Sequence, residues 1–130
     1  MRYRVLVVED NAANLELLVD WLEVEGFEVR SATTLEEAID AINNDLPQTV
    51  LLDVQLGSQD GLSLASWIRR DPKLQGIPVI AVTAHAMVTD HQRVMQAGCS
   101  ACISKPIDFR MLRGELDRWL VHPAKLQPSR

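Results

Sequence analysis

The 130-residue sequence has few cysteines, no long apolar run and no concentration of positive charge. A membrane-spanning helix needs about 20 consecutive apolar residues, and no segment approaches that length. The residues after Met1 lack the apolar region of a signal peptide. The formal net charge is −5 and the lysines and arginines are scattered, unlike the basic surface of a nucleic-acid-binding protein. We therefore expect a soluble, cytoplasmic domain that binds neither membrane nor nucleic acid.

The two cysteines, Cys99 and Cys102, form a single C-x-x-C pair. Such a pair can be redox-active or can supply half of a zinc site, but zinc needs about four ligands. The three histidines, His85, His91 and His122, have no ligand-like spacing. The pair also runs into a β-rich segment, whereas a redox pair normally begins a helix. The sequence therefore favours two packing residues over a redox or metal site.

Five short, mostly β-branched runs alternate with helical patterns along the chain. The runs are Arg4–Val8, Glu28–Ala32, Thr49–Leu52, Pro78–Val82 and Ala101–Ser104. Four of them lack an alternating polar face, which is typical of parallel strands buried on both sides. With 47% apolar and 24% charged residues, the composition is that of one folded domain. The pattern predicts an α/β fold, a doubly wound five-stranded parallel sheet with five helices.

Apolar residues at helical spacing predict a helix in each segment that follows a strand. The second helix begins at the capping box Thr34-Leu35-Glu36-Glu37, and the fourth runs from about Thr89 to Ala97. Three tryptophans lie in the helical segments and are interpreted as packing residues: Trp21, Trp67 and Trp119.

Side chains with useful chemistry stand where four of the strands end. Glu9 and Asp10 end the first strand, Asp53 the third, Thr83 the fourth and Lys105 the fifth. Each alone can have a purely structural role, such as capping the next helix. Because the carboxyl ends of parallel strands share one edge of a sheet, we expect these groups to lie together. Three neighbouring carboxylates repel one another unless a cation or a proton compensates them, and Mg²⁺ fits this oxygen-rich set best.

This set of groups is suited to phosphoryl transfer. A carboxylate such as Asp53 can attack phosphorus and form an acyl phosphate. The reaction then needs positive charge around the phosphoryl oxygens, which Mg²⁺ and Lys105 would supply, and a hydrogen bond, which Thr83 would supply. The sequence therefore predicts a phosphoryl-accepting site at one edge of the sheet.

Residues 4 to about 120 resemble the receiver domains of two-component response regulators. The resemblance lies in five pieces in order: Val7-Val8-Glu9-Asp10-Asn11, Leu51-Leu52-Asp53-Val54-Gln55-Leu56, Asp60-Gly61, Pro78-Val79-Ile80-Ala81-Val82-Thr83-Ala84 and Lys105-Pro106-Ile107. The stretch 98–107 is similar to single-domain regulators of the cell-polarity and cell-division type, and to receivers of hybrid kinases. The resemblance implies the flavodoxin-like receiver fold with strand order 2-1-3-4-5.

The resemblance also implies roles for the acidic residues. Asp53 is expected to be the phosphoacceptor, and Glu9 and Asp10 the acidic pair that holds Mg²⁺ together with it. Gln55 is expected to give its backbone carbonyl to the metal. Asp53, Thr83 and Lys105 together would form the reacting site.

Some residues at and around the implied conformational switch match the usual receiver pattern, and others depart from it. Thr83 is expected to be the switch hydroxyl and Lys105 the phosphate-binding lysine, followed by a cis bond to Pro106. Many receivers carry an aromatic residue three positions before this lysine, where the chain has Cys102, which reduces the usual aromatic readout. Gly57 stands where proline is common, and glycine costs more entropy to order.

The function implied is a phosphorylation-dependent signalling switch. The phosphoryl group would come from a phosphohistidine of a histidine kinase or phosphotransfer protein, and the domain would catalyse its own phosphorylation and dephosphorylation without turning over a separate substrate. Output would be a protein contact on the face formed by the fourth helix, fifth strand and fifth helix. We expect a receiver domain at residues 1–121 and a C-terminal tail at 122–130, in a stand-alone regulator without an output domain.

Alternatives remain open on sequence alone. The chain can be a receiver excised from a hybrid histidine kinase, or a degenerate receiver that acts as a constitutive binding module. A phosphohydrolase with an aspartyl nucleophile would carry a second Asp where Gln55 stands. A flavin carrier of the same sheet order would need a glycine-rich phosphate loop in place of Glu9-Asp10-Asn11. His85 can either orient the water that hydrolyses the acyl phosphate or be a plain surface residue.

Overall fold

A computed structural model describes residues 2–84 and 88–121 of the chain. The five strands of the main sheet are β1 (Arg4–Val8), β2 (Glu28–Ala32), β3 (Thr49–Asp53), β4 (Val79–Thr83) and β5 (Ala101–Ser104). The helices are α1 (Ala12–Val24), α2 (Leu35–Asn44), α3 (Leu62–Arg70), α4 (Val88–Gln96) and α5 (Phe109–Leu116). One π-helical turn, Asp117–Val121, continues α5.

The strands form one parallel sheet in the order β2-β1-β3-β4-β5. The order reverses between β1 and β3, and the carboxyl ends beside such a reversal are where ligands bind in this class of fold. Pairing places Val8 opposite Leu52, and Thr83 opposite Ser104. The predicted fold class and strand order are therefore confirmed.

Each face of the sheet has its own apolar core because the side chains of a strand alternate between the two faces. Leu6, Val50 and Leu52 face α2, α3 and α4, and they pack in one cluster with Ile42 and Ile68. On the other face, a second cluster packs α1 and α5 against the sheet: Val5, Val7, Leu18, Leu22, Leu51, Ile80, Ile103, Leu112 and Leu116. Burial on both faces explains why the central strands read as continuous apolar runs.

The observed element boundaries differ slightly from the predicted ones. β3 and β4 each extend one residue further, so that Asp53 and Thr83 are the last residues of their strands. α4 covers Val88–Gln96, one residue earlier at each end than predicted. The changes in β3 and β4 place Asp53 and Thr83 in the hydrogen-bonded ladder, where the neighbouring strand fixes their backbone.

The predicted capping box at α2 forms only in part. The Thr34 hydroxyl accepts a hydrogen bond from Glu37 N at 3.1 Å, as expected of an N-cap. The Glu37 carboxylate, however, accepts from the backbone and hydroxyl of Thr33 rather than from Thr34. These two hydrogen bonds lower the pKa of Glu37. The Glu37 carboxylate therefore binds Thr33, one residue before the N-cap that the motif would have it bind.

Between β3 and α3 the chain forms a small hairpin, made of the two-residue strands Gln55–Leu56 and Gln59–Asp60. The sequence patterns did not predict it, since two residues per strand are too few to show a periodicity. Within the described residues, no helix has both the length and the apolarity needed to span a membrane. The predicted tail at 122–130 and His85 lie outside the described residues.

Candidate functional site

Three carboxylates meet at the carboxyl edge of β1 and β3. Glu9, Asp10 and Asp53 each offer an oxygen, and these oxygens lie within 4.8 Å of one another. Glu9 is 2% exposed and Asp53 5% exposed, whereas Asp10 is open to solvent. The parallel pairing of β1 with β3 brings residues 9 and 53 to the same edge, as the sequence predicts.

Backbone amides hold the two buried carboxylates in place. Asn11 N donates to Glu9 Oε2 at 3.0 Å, and Gln55 N donates to Asp53 Oδ1 at 3.0 Å. Each bond spans two positions, which is the local turn that an acidic residue makes with the chain just after it. One oxygen of each carboxylate is therefore oriented by its own loop, while the other points toward the shared space.

Lys105 supplies the positive charge at the cluster. Its Nζ lies 3.0 Å from Asp53 Oδ2 and 3.7 Å from Glu9 Oε1. The backbone N–H of Lys105 donates to the carbonyl of Thr83 at 2.8 Å, so the lysine and the threonine are neighbours across the ends of β4 and β5. Thr83 is 3% exposed. The sequence-predicted groups from four strands thus lie at one edge.

Burial of the carboxylates raises the pKa of Glu9 to about 7. Desolvation is the main cause, and the nearby Asp53 carboxylate raises the pKa further. The Asn11 amide and the Lys105 ammonium oppose this rise but do not cancel it. Three carboxylates facing one ammonium therefore leave an excess of negative charge, which a divalent cation would compensate.

The peptide bond between Lys105 and Pro106 is cis, in agreement with the expectation from the resemblance. Gly57, the other noted position, has a φ of +57°, a conformation that favours glycine. A side chain there would approach Oδ2 of Asp10 at 3.5 Å. The hairpin turn therefore passes close to the exposed carboxylate of the cluster.

Gly61 is a positional requirement that sequence reasoning did not recognise, although Asp60-Gly61 was visible as a motif. A Cβ on Gly61 would lie 2.3 Å from the carbonyl oxygen of Asp53 and 3.0 Å from that of Val54. Gly61 N donates to the Val54 carbonyl at 2.7 Å. Only glycine allows α3 to begin this close to the backbone of Asp53.

The two thiols do not join the site. Cys99 is buried, which raises the pKa of its thiol to about 12, and burial also raises the pKa of Cys102. Both are free cysteines, and both pack against the apolar cluster that faces α4. Cys102 is half-buried on β5, at the position where the resemblance would place an aromatic ring.

A cavity of about 430 Å³ opens beside the carboxylates, between α1 and the segment after β5. Glu9 and Lys105 form its polar end, and Leu17, Ile107 and Phe109 contribute apolar walls. Leu17 is 56% exposed, although it lies on a helix whose opposite side is buried. An apolar surface of α1 therefore adjoins the Glu9 and Lys105 side of the cluster.

Comparison with known proteins agrees with this geometry. The response regulator receiver domain family matches residues 5–117. The polar-differentiation response regulator DivK of Brucella ovis is 43% identical over 107 residues, which is 82% of this chain and 87% of that protein. DivK of Brucella anthropi is 44% identical over 103 residues, covering 79% and 84%.

Solved structures of receiver domains have the same fold as this chain. A CheY-like receiver domain protein from Methanospirillum hungatei superposes with a TM-score of 0.87 at 29% identity, over 98% of this chain and all of that one. The receiver domain of a signal transduction histidine kinase from Syntrophus aciditrophicus gives 0.86 at 26% identity, over 98% and 97%. The fold, the carboxylate cluster and these similarities lead to one conclusion: the chain belongs to the response regulator receiver family and is a receiver domain of two-component signalling.

Proposed function

We propose that Asp53 is the phosphoacceptor of a phosphorylation-dependent switch, and that its donor is the phosphohistidine of a histidine kinase or phosphotransfer protein. The observation that carries this proposal is the environment of the Asp53 carboxylate. One of its oxygens is held by Gln55 N and the other lies 3.0 Å from Lys105 Nζ, beside Glu9 and Asp10. A nucleophile that is fixed in place and flanked by a cation is what phosphoryl transfer needs.

The oxygen-only donor set fits Mg²⁺, which favours carboxylate and carbonyl ligands. Glu9, Asp10 and Asp53 would hold the ion, with the backbone carbonyl of Gln55 as a further ligand. When bound, Mg²⁺ supplies positive charge to the phosphoryl oxygens. The solvent-exposed Asp10 leaves one side of the cluster open to the ion and to the incoming phosphoryl group.

In the reaction an oxygen of the Asp53 carboxylate attacks phosphorus as the bond from phosphorus to the donor imidazole nitrogen breaks. The electron pair of that bond returns to the imidazole, and the product is an aspartyl phosphate. Lys105 then exchanges its contact with the free carboxylate for one with a phosphoryl oxygen, and Thr83 donates its hydroxyl hydrogen to another. Water then hydrolyses the aspartyl phosphate, which releases inorganic phosphate and restores the carboxylate, so the domain acts on itself and turns over no separate substrate.

The movement of Thr83 and Lys105 toward the phosphate is proposed to shift a pre-existing equilibrium of the surface formed by α4, β5 and α5. Met95 of α4 and Met111 of α5 are exposed apolar residues that an output protein can cover. Thr83, Cys102 and the cis Pro106 are the proposed switch positions. Because Cys102 carries no ring, phosphorylation is proposed to alter this surface through movement of the β4 and β5 backbone more than through rotation of a side chain.

The donor is proposed to approach along the cavity beside α1. Leu17 and Phe109 line this cavity, and Glu9 and Lys105 lie at its inner end. An apolar contact with a donor helix there would bring its phosphoimidazole to the carboxylate cluster. We further propose that residues 1–121 form the receiver unit and residues 122–130 a tail. The protein is proposed to be cytoplasmic and to bind no nucleic acid.

The test is the intact mass of the protein after incubation with Mg²⁺ and acetyl phosphate. We expect a gain of one phosphoryl group in the wild type, and none in Asp53→Ala or in the presence of EDTA. Asp40→Asn, on the exposed side of α2, is the matched control and should be phosphorylated normally. A folded wild type that gains no mass would instead support a degenerate receiver that binds its partner constitutively.

A further inference from the structure

We propose that Gln59 is a positioning residue for the metal ion, acting through the hairpin Gln55–Asp60 that lies over the carboxylate cluster. This inference rests on the proposed function, since it concerns the same Mg²⁺ site. It assigns a role to a side chain that neither touches the carboxylates nor belongs to the motifs of the resemblance.

Both ends of the hairpin lie next to the end of the phosphoacceptor strand β3. Gly61 N donates to the carbonyl of Val54 at 2.7 Å, which closes the loop at its base. Within it, Gln55 pairs with Asp60 and Leu56 with Gln59 in antiparallel register. Gln55 is thus both a hairpin residue and the donor to Asp53 Oδ1. Any change in the position of the hairpin is transmitted to the Asp53 carboxylate and to the Gln55 carbonyl.

The turn of the hairpin faces the metal site. Gly57 adopts a φ of +57°, and a Cβ built on it would lie 3.5 Å from Oδ2 of Asp10. The strand residue before it, Leu56, is buried in the core that faces α2 and α3. One strand of the hairpin is therefore fixed by apolar burial, while the returning strand, Gln59–Asp60, is held by polar contacts.

Gln59 makes two of these polar contacts with the first turn of α2. Its Oε1 accepts a hydrogen bond from Leu35 N at 3.2 Å, and its Nε2 donates to Glu36 Oε1 at 3.3 Å. The first amides of a helix have no acceptor within the helix, so Gln59 satisfies a group that would otherwise need water. A single amide thus fastens the hairpin to α2 through both an acceptor and a donor.

The other side of the returning strand contacts α4. Asp60 Oδ2 lies 3.4 Å from Arg93 Nη1, but both side chains are more than half exposed, so this ion pair contributes little. Gln59 is half-buried, and its hydrogen bond from Leu35 N is part-buried, whereas its bond to Glu36 is exposed. Asp60 is also held at the start of α3, where its Oδ1 accepts from Leu62 N at 3.0 Å and its carbonyl from Ser63 Oγ at 2.8 Å. Gln59 supplies the attachment of the hairpin to α2.

Fastening the hairpin lowers the entropic cost of ordering the metal site, because the Gln55 carbonyl and the Asp53 carboxylate are already placed before the ion arrives. Removing the Gln59 side chain should let the returning strand move away from α2. We expect the Mg²⁺ dissociation constant to rise by about two- to tenfold, the range expected from the loss of one or two hydrogen bonds.

The experiment is calorimetric titration of Mg²⁺ into the folded, unphosphorylated protein, which measures binding without any phosphodonor. Gln59→Ala is compared with Gln48→Ala, which removes a side-chain amide bonded to Arg4 N at the opposite end of the sheet. Gln59→Ala should weaken Mg²⁺ binding two- to tenfold, and Gln48→Ala should leave it unchanged, even if both lower the melting temperature.

A charge-neutral exchange tests whether the hydrogen bonds themselves are responsible. The double substitution Gln59→Glu with Glu36→Gln reverses donor and acceptor between the two side chains and keeps the net charge. It should restore the wild-type dissociation constant. Equal Mg²⁺ affinity in wild type and Gln59→Ala would overturn the inference, and so would a double variant as weak as Gln59→Ala. If the wild type itself neither binds Mg²⁺ nor becomes phosphorylated, the proposed function fails instead.

Discussion

The ammonium group of Lys105 lies 3.0 Å from Oδ2 of Asp53, a residue 52 positions earlier in the chain. The contact joins the ends of β5 and β3, which are not neighbours in the sheet because β4 lies between them. Lys105 extends across the end of β4 and also reaches Glu9 at 3.7 Å. Its charge therefore serves two buried carboxylates before phosphorylation and is available to a phosphoryl group afterwards.

Replacing Lys105 with Met should slow phosphorylation by acetyl phosphate on the order of 10²-fold, because a preorganised cation at the developing charge is lost. The same change should tighten Mg²⁺ binding, since the ammonium no longer competes for the carboxylates. Initial rates of mass gain and a Mg²⁺ titration measure the two effects. Lys73→Met, on an exposed loop, is the control and should alter neither. Phosphorylation of Lys105→Met at the wild-type rate would exclude a role for the lysine in the transition state.

The raised pKa of Glu9 predicts a pH dependence of stability without metal. Its folded value of about 7 exceeds the ordinary 4.5, so the folded protein retains a proton that the unfolded chain releases between these values. The stabilisation is fully present below pH 4.5 and is lost as the pH rises through 7. Urea unfolding in EDTA should therefore show a free energy of unfolding that falls by about 1–3 kcal/mol over this window.

Glu9→Gln should remove that fall, because an amide does not titrate, and should be the more stable protein at pH 8. Glu16→Gln, an exposed position on α1, should retain the wild-type profile. If Glu9→Gln and the wild type have parallel profiles between pH 4.5 and 7, Glu9 is not the titrating group.

Mg²⁺ should counteract the loss of stability that the wild type shows as the pH rises. The ion binds the ionised carboxylates, so it competes with the proton on Glu9 and stabilises the folded state by mass action. The increase in melting temperature produced by a fixed concentration of Mg²⁺ should therefore be larger at pH 8 than at pH 6. The same increase at both pH values would argue against Glu9 as a ligand.

Gly61→Ala should disturb the phosphoacceptor directly. The new methyl group would have to displace the carbonyl of Asp53, which it would meet at 2.3 Å. We expect a loss of about 1–3 kcal/mol in the free energy of unfolding, the usual cost of overpacking, with slower phosphorylation. Gly114→Ala, where a Cβ meets nothing within 4 Å in α5, should instead stabilise the protein by roughly 0.5–1 kcal/mol. Equal stability of Gly61→Ala and wild type would show that α3 can shift away from β3 without cost.

The Cys99 thiol should be unreactive in the folded protein. Alkylation needs the thiolate, and a pKa of about 12 leaves Cys99 protonated at neutral pH. Iodoacetamide at pH 7.5 should modify Cys99 only after unfolding in urea, as followed by peptide mass. Rapid modification in the native state, or a disulfide formed with Cys102 under mild oxidation, would revive the redox interpretation of the pair.

Much of the fold was predictable because it rests on local patterns. Val50–Leu52 and Val79–Val82 are apolar throughout, which indicates strands covered on both faces and hence a parallel sheet. Once the sheet is parallel, its carboxyl ends share one edge, so the placement of Asp53 beside Glu9 follows from where their strands stop. The hairpin Gln55–Asp60 was not predictable, since its pairing depends on the closure of the loop by Val54 and Gly61 rather than on any periodicity.

The sequence by itself determined the fold class, the strand order through family resemblance, and which residues stand at the strand ends. Only the tertiary structure decided the distances and the environment: Lys105 across the end of β4 from Asp53, the burial that shifts the pKa of Glu9, and the contact of Gln59 with α2. The reason is physical. Secondary structure follows from interactions between residues near one another in the chain, whereas desolvation and charge pairing depend on residues far apart in sequence that folding brings to one edge of the sheet.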